Sequence, residues 1–282
     1  SQKYRPSFGS GYKIGTGWGS VGTDISQFKD PYGADIDIEG NLLYVADCKN
    51  NRIQIFTLDG AYVTSIGEAG DGEGQFSGPS DVKVGLFDDI YVVEEYNHRV
   101  QVFDADGTHR AFIGSYGTGQ GEFKYPLGIA LDSKGNIYVV DYKNDRIQKF
   151  NSDGQFLTQI GSTGSGEGQL NRPTGVAVDK DGIIYVADWL NDRLQVFDVD
   201  GSFLEIKTGD GGISKWGKDK LDANPEMWEE RKRAQGLERE KDFWAPTGVT
   251  VDDDNRVFVS ESPRNRIQVY QKQSSSFAGP RL

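Results

Sequence analysis

Five carboxylates recur at matching places along this chain, and an arginine follows each of them five residues later. The pairs are Asp47 and Arg52, Glu94 and Arg99, Asp141 and Arg146, Asp188 and Arg193, and Glu261 and Arg266. Asn50, Asn97, Asn144 and Asn191 stand two residues before the arginine; the last copy has Arg264 there, with Asn265 beside it. A ring of acids of this kind could do metal or proton chemistry. The same residues at a hairpin corner do something plainer: the acid accepts hydrogen bonds from turn amides or from the arginine, and the asparagine satisfies turn backbone. Catalytic groups break the symmetry of a repeat, whereas these residues define it, so the structural reading is the expectation.

The elements that carry these residues repeat with the same period. Prolines open the copies at Pro31, Pro79, Pro126, Pro173 and Pro246, giving steps of 48, 47, 47 and 73 residues. A fixed period in this range marks a solenoid or a propeller. In the third copy, four runs read as strands: Gly128–Leu131, Ile137–Val140, Arg146–Phe150 and Phe156–Ile160. Val, Ile, Tyr and Phe alternate within them, and Asn- or Gly-containing turns divide them, as in antiparallel hairpins. Four such strands make one propeller blade, and blades packed face to face bury a continuous core. The fold class is therefore all-β, a propeller of four-stranded antiparallel blades with five blades counted and six as the alternative. The last copy supplies only three strands, so residues 4–10, which align with Phe156–Ser162, are expected to close its blade as an N-terminal strand.

The motifs Pro-x-Gly-(Val/Ile)-Ala-(Val/Leu)-Asp, Tyr-Val-(Ala/Val)-Asp, Asn-x-Arg-(Ile/Leu)-Gln-x-Phe and Gly-x-Gly-Gln-Phe resemble those of NHL repeats over roughly residues 4–272. The resemblance implies a propeller, commonly of six blades. It leaves one domain over 1–272, with a partly helical insertion at 207–242 and a flexible tail at 273–282. The 37 glycines and 9 prolines fit the turns of such a fold. A formal net charge of −12 argues against binding a phosphate backbone, which needs a basic face. The single Cys48 allows no intrachain disulfide, and no apolar run approaches the roughly 20 residues of a membrane span. The compartment stays open. A signal peptide removed before residue 1 would make it extracellular or periplasmic.

The informative residues are those that depart from the repeat. The fifth position of each copy, on the innermost strand, reads Asp35, Lys83, Ala130, Ala177 and Thr250, and Asp81 replaces a glycine nearby. Asp35, Asp81 and Lys83 are expected to line the central channel, either as a local ion pair or as a polar site for an ion or small solute. The second-to-third hairpins and the blade-to-blade linkers emerge on one face. The first linker, counted from Gly9 to Phe28, spans 19 positions where the three that follow span nine, and it contains Trp18. Tyr142 and Trp189 occupy hairpins on that face, and the insertion brings Trp216, Trp228 and Arg231. Asn224 as N-cap, Pro225 at the first position and Gly236 as a stop predict a helix there, either docking the insertion or rimming a recess.

Among enzymes that the NHL resemblance brings in, amidating lyases hold zinc through channel histidines. This chain has only His98 and His109, which fall on opposite sides of a blade, so such a site is not expected. Calcium would need several converging oxygens, and the inner strands offer Asp35 and Asp81 among Ala, Gly, Val and Thr. No cofactor is predicted, with Ca²⁺ the one possibility kept. The expected function is a non-enzymatic recognition or scaffold module whose aromatic face takes a protein, peptide or glycan partner. Its alternative is a metal-dependent hydrolase or lyase with a channel site near Asp35 and Asp81. Neither nucleic acid nor membrane insertion is expected, and the oligomeric state stays open.

Overall fold

Alternating β-branched and aromatic residues between tight turns fold each repeat into an antiparallel meander. The computed structural model describes residues 19–209, 221–233 and 242–272. Blade 1 consists of Pro31–Asp37, Leu42–Asp47, Arg52–Thr57 and Tyr62–Ile66. Blade 2 follows with Pro79–Val84, Ile90–Glu94, Arg99–Phe103 and His109–Ile113. Blade 3 is Pro126–Leu131, Ile137–Asp141, Arg146–Phe150 and Phe156–Ile160; blade 4 is Pro173–Val178, Ile184–Asp188, Arg193–Phe197 and Phe203–Lys207. Blade 5 shows three strands among the described residues, Pro246–Val251, Arg256–Glu261 and Arg266–Gln271. The protein is an all-β propeller with five blades, as its period predicts. The first strands of successive blades pack against one another and so lie innermost.

The core sits between blades rather than within them. Tyr44, Ile53 and Ile55 of blade 1 meet Val82, Ile90, Val92 and Phe103 of blade 2, with Phe76 of the intervening linker wedged beside them. Phe123 and Leu170 fill the same place between blades 2 and 3 and between blades 3 and 4. Phe243 takes it between blades 4 and 5. Close approach of inner strands explains two glycines: a Cβ on Gly175 would lie 3.1 Å from Gly248 Cα, and one on Gly33 would lie 2.1 Å from Asp81 Oδ1.

The repeated acid is a structural corner. Asp141 is wholly buried. Its carboxylate accepts from Arg146 Nε at 2.7 Å, Asn144 Nδ2 at 2.9 Å, Gln148 Nε2 at 3.2 Å and the Lys124 amide at 2.7 Å. Arg146 then donates to the carbonyls of Gly119 and Glu122, so the acid, the arginine and the preceding linker form one unit. Blades 1, 2 and 4 repeat this around Asp47, Glu94 and Asp188. In blade 5, Glu261 accepts from the Trp244 amide and Gln268, and pairs with Arg266.

The described part of the first linker matches the others. Gly19, with φ +97°, stands where Gly67, Gly114 and Gly161 stand in the other blades, and Phe28 follows it at the same spacing. From Gly19 to Phe28 the linker thus repeats the others, although Gly22-Thr23-Asp24-Ile25-Ser26 lacks the glycine pattern of Gly70-Asp71-Gly72-Glu73-Gly74; residues 9–18, which the expected 19-position span includes, lie outside the described residues. Ser26 adopts φ +61° where Gly74 has +69°. The insertion carries a helix, Pro225–Arg233, and the Met227 amide donates to the Asn224 carbonyl at its start. The closing strand at residues 4–10 and the tail at 273–282 lie outside the described residues.

Removing one member of a buried, hydrogen-bonded charge pair strands the other without solvent, at a cost of about 3–5 kcal/mol. Asp141→Ala is therefore expected to lower unfolding free energy by about that amount in urea titrations, whereas Asp153→Ala, in an exposed turn, is expected to stay within about 0.5 kcal/mol of the parent.

Candidate functional site

Corner geometry dictates which side chains reach the linker face. Each second strand ends at its buried acid, and the chain then turns through a short hairpin whose fourth residue is left-handed. These residues are Asn51, His98, Asp145, Asp192 and Asn265, with φ between +49° and +56°. Backbone bonds tie the hairpins to the linker ends: Lys49 to Lys29, Tyr96 to Ser77, Lys143 to Lys124 and Leu190 to Asn171. Hairpins and linkers therefore share one face. The left-handed residue also reaches the next blade. Asn51 Oδ1 accepts from the Gly78 amide at 3.0 Å, His98 Nδ1 from Tyr125 at 3.1 Å, Asp145 Oδ1 from Arg172 at 2.8 Å and Asp192 Oδ1 from Ala245 at 2.7 Å.

On that scaffold, aromatic rings and cations form a continuous array over blades 2 to 4. Tyr96 meets Tyr125 edge-on at 6.3 Å, and His98 lies 4.7 Å from Tyr125 and 4.9 Å from Tyr116. Lys143 Nζ sits 3.7 Å above the Tyr125 ring, and Lys124 Nζ 5.7 Å from Tyr116. Arg172 covers Tyr142 at 5.4 Å, and Tyr142 is 6.3 Å from Trp189. Across the insertion, Arg264 lies 5.7 Å from the ring of the exposed Trp244. Tyr142 and Trp189 both lie on this face, half-buried and in one aromatic pair. Trp18 and Trp216 lie outside the described residues, as do the side chains of Trp228 and Arg231, although the helix that carries the latter two is described. Tyr96, Tyr116, Tyr125, Lys143 and Arg172 were not anticipated. A signal for two of them existed, since Tyr125 and Arg172 replace the glycine found at Gly78.

The channel residues form a hydrogen-bonded cluster. Lys83 Nζ pairs with Asp35 Oδ1 at 3.2 Å, and Asp35 Oδ2 accepts from the Val84 amide at 2.9 Å. Asp81 occupies the place of the inner-strand glycines and accepts from the Val82 amide at 2.9 Å and the Ile129 amide at 3.0 Å. Burial pushes the Asp81 carboxyl up against the opposing pull of Lys83, and the two carboxylates hold Lys83 protonated against its own burial. Every carboxylate oxygen of the pair thus has a partner, and the cluster bridges blades 1, 2 and 3. No group of three or more His, Cys, Asp or Glu side chains suited to a metal occurs among the described residues. Cys48 is buried, and burial, with Glu95 and Asp30 adding, pushes its thiol up to about 11. It stays protonated and is a poor nucleophile.

A family model described as a 6-bladed beta-propeller matches residues 77–153 and 133–218, and the NHL repeat model matches residues 28–56 and 243–270. The chain belongs to the NHL-repeat β-propellers. No curated protein is similar enough in sequence to count as a relative of this NHL propeller. Solved structures share its fold at low identity. One is a catalytically inactive virginiamycin B lyase from Staphylococcus aureus with quinupristin, at 16% identity and TM-score 0.58, covering 90% of this chain and 73% of the lyase chain. Another belongs to a nidogen/laminin complex, at 18% identity and TM-score 0.62, covering 87% of this chain and 77% of that one. At these identities the likeness shows the fold alone.

His98 makes one blade contact of this NHL propeller sensitive to pH. As an acceptor at Nδ1 it must be neutral, and burial together with Lys143 holds its pKa below the ordinary 6.5, with Asp141 opposing. A depressed folded-state pKa means the contribution is complete above pH about 6.5 and is lost as pH falls through the folded value. The thermal midpoint is expected to drop on that descent. His98→Asn, which copies Asn51, is expected to flatten that part of the profile in scans between about pH 7.5 and 5.5.

Proposed function

We propose that this NHL propeller is a non-enzymatic binding module that takes a protein or peptide partner on its linker face. The observation that carries the reading is the array from Tyr96 to Trp189 with Lys124, Lys143 and Arg172 laid over its rings. Tyr, Trp and Arg supply large, stiff, amphipathic contact area and are the residue types that anchor interfaces. On a chain of net charge −12, this face concentrates cations, which suits acidic or aromatic groups on a partner. The nidogen/laminin complex among the structural neighbours is a protein assembly and supports the same class of function.

The lyase among those neighbours raises catalysis as the second reading. Here the channel carboxylates Asp35 and Asp81 are engaged by Lys83 and by backbone amides, one partner at each oxygen, and a cation such as Ca²⁺ would have to compete with those donors. Metal analysis of purified protein separates the readings. Ca²⁺ or Zn²⁺ at one equivalent after dialysis would favour the enzyme, and the binding module is expected to retain well under about a tenth of an equivalent.

Capture of companions tests the face itself. Intact protein and a Phe87→Ala variant, altered at an exposed ring on a first-to-second hairpin, are expected to recover the same set. Tyr142→Ala combined with Trp189→Ala is expected to weaken that binding by at least about 100-fold, the loss of two anchors of roughly 2 kcal/mol each. A glycan array carries the remaining alternative. If the double variant recovers the same companions at the same strength, the linker face is not the contact surface.

A further inference from the structure

Blade 2 lacks an acid that every other blade has. Asp37, Asp132, Asp179 and Asp252 stand six residues after the opening proline of their blades, and in blade 2 that place is Gly85. The acid organises the first-to-second hairpin. Asp132 accepts from the Lys134 and Asn136 amides at 2.9 Å each and from the Tyr138 hydroxyl at 3.1 Å. Asp179 does the same with Asp181, Ile183 and Tyr185; Asp252 holds the Asp254 and Arg256 amides, and Asp37 that of Gly40. The hairpin of blade 2 keeps the backbone of blade 3 without the carboxylate. Gly85 donates to the Asp89 carbonyl as Asp132 does to Asn136, and Asp88 donates to the Gly85 carbonyl as Gly135 does to Asp132. Asp88 is left-handed at φ +61° where Gly135 has +78°. The Phe87 and Asp89 amides therefore face the place that a carboxylate fills in the other blades, and neither has an acceptor among the described residues.

That place opens into a cavity of about 370 Å³ between blades 2 and 3, a size suited to a small molecule. A Cβ on Gly85 would lie 3.0 Å from Tyr91 Cε2 and 3.5 Å from Leu131 Cδ1, both in the cavity wall. Val84, Leu86 and Phe87 add apolar wall, and Lys134 adds a cation. Leu86 is 63% and Phe87 83% exposed, at a tip where the other four hairpins carry at least one charged residue. The acids of the wall are already engaged. Asp89 is held by Arg110 at 2.8 and 2.9 Å, and Asp132 by its own turn, with Lys149 Nζ at 4.0 Å. We propose that this cavity binds a small organic carboxylate with an apolar body. Its head sits on the Phe87 and Asp89 amides as Asp132 sits on its turn, and its body lies against Leu86, Phe87 and Leu131. Converging backbone amides are an anion cradle in their own right. An antiparallel meander puts this hairpin at the end opposite the linker face, so the site is independent of the partner surface proposed above.

Titration of the full chain with phenylacetate, followed by amide resonances, tests this. Saturable shifts are expected at the Phe87 and Asp89 amides, with a dissociation constant of about 1 mM or tighter. Phenylacetamide has the same shape without the charge and is expected to bind at least about tenfold more weakly. Gly85→Asp supplies the missing carboxylate from the chain itself, in a setting that Asp132 beside Tyr138 shows to be compatible. That variant is expected to lose phenylacetate binding and to melt at a higher temperature than the parent. Phe87→Ala is expected to weaken binding by about three- to tenfold, the loss of one aromatic wall. Should Gly85→Asp fail to fold, Phe87→Ala and phenylacetamide decide. Absence of saturable shifts up to about 10 mM phenylacetate overturns the proposal. So does undiminished binding to Gly85→Asp, or an equal response to phenylacetamide.

Discussion

One buried carboxylate per blade fixes where the next stretch of chain can go. Taking such a charge out of water costs several kcal/mol, and only converging donors offset it. Asp141 receives an arginine, an asparagine, a glutamine and a backbone amide, and all four donors also bind linker carbonyls or lie in the linker itself. The linker therefore cannot shift without leaving an ion unpaired inside the protein. Because the linker also delivers an aromatic or leucine wedge between blades, the corner sets the spacing of the hydrophobic core as well. Charge pairing and burial are one device here.

That device is local in sequence, which is why so much of the fold can be read from it. Acid and arginine lie five residues apart across a hairpin, and β-branched alternation on both sides gives the strands. Gln54, Gln101, Gln148, Gln195 and Gln268 belong to the corner too. Their motif was visible, but their role was not, because a glutamine in a strand reads as an outward-facing polar residue until its partners are known. The first linker shows the opposite case. Ser26 takes a left-handed backbone that glycine holds elsewhere, and its amide still binds Gln54 as Gly74 binds Gln101. Tertiary bonds override the local glycine pattern there.

The linker face was half legible. Tyr142 and Trp189 sit at equivalent places in successive repeats, so comparing copies finds them. Much of the rest assembles between residues of neighbouring blades, such as Tyr125 with His98 and Arg172 with Tyr142. No period in the sequence announces those meetings. They follow from the rotation of one blade against the next, which only the folded chain supplies.

Backbone strain gives a second, independent reason to regard that face as specialised. All five linkers turn through a left-handed residue, at Asp30, Gly78, Tyr125, Arg172 and Ala245. Gly78 shows that the backbone needs no side chain there, and a bulky residue in that conformation costs about 1–2 kcal/mol. Tyr125 recovers part of this through His98, Tyr96 and Lys143, contacts worth roughly 0.5–1 kcal/mol each. Arg172 has the ring of Tyr142 beneath it and leaves one guanidinium nitrogen buried without a partner. The two places where the chain tolerates a large side chain in a strained turn are the two that build the middle of the aromatic array.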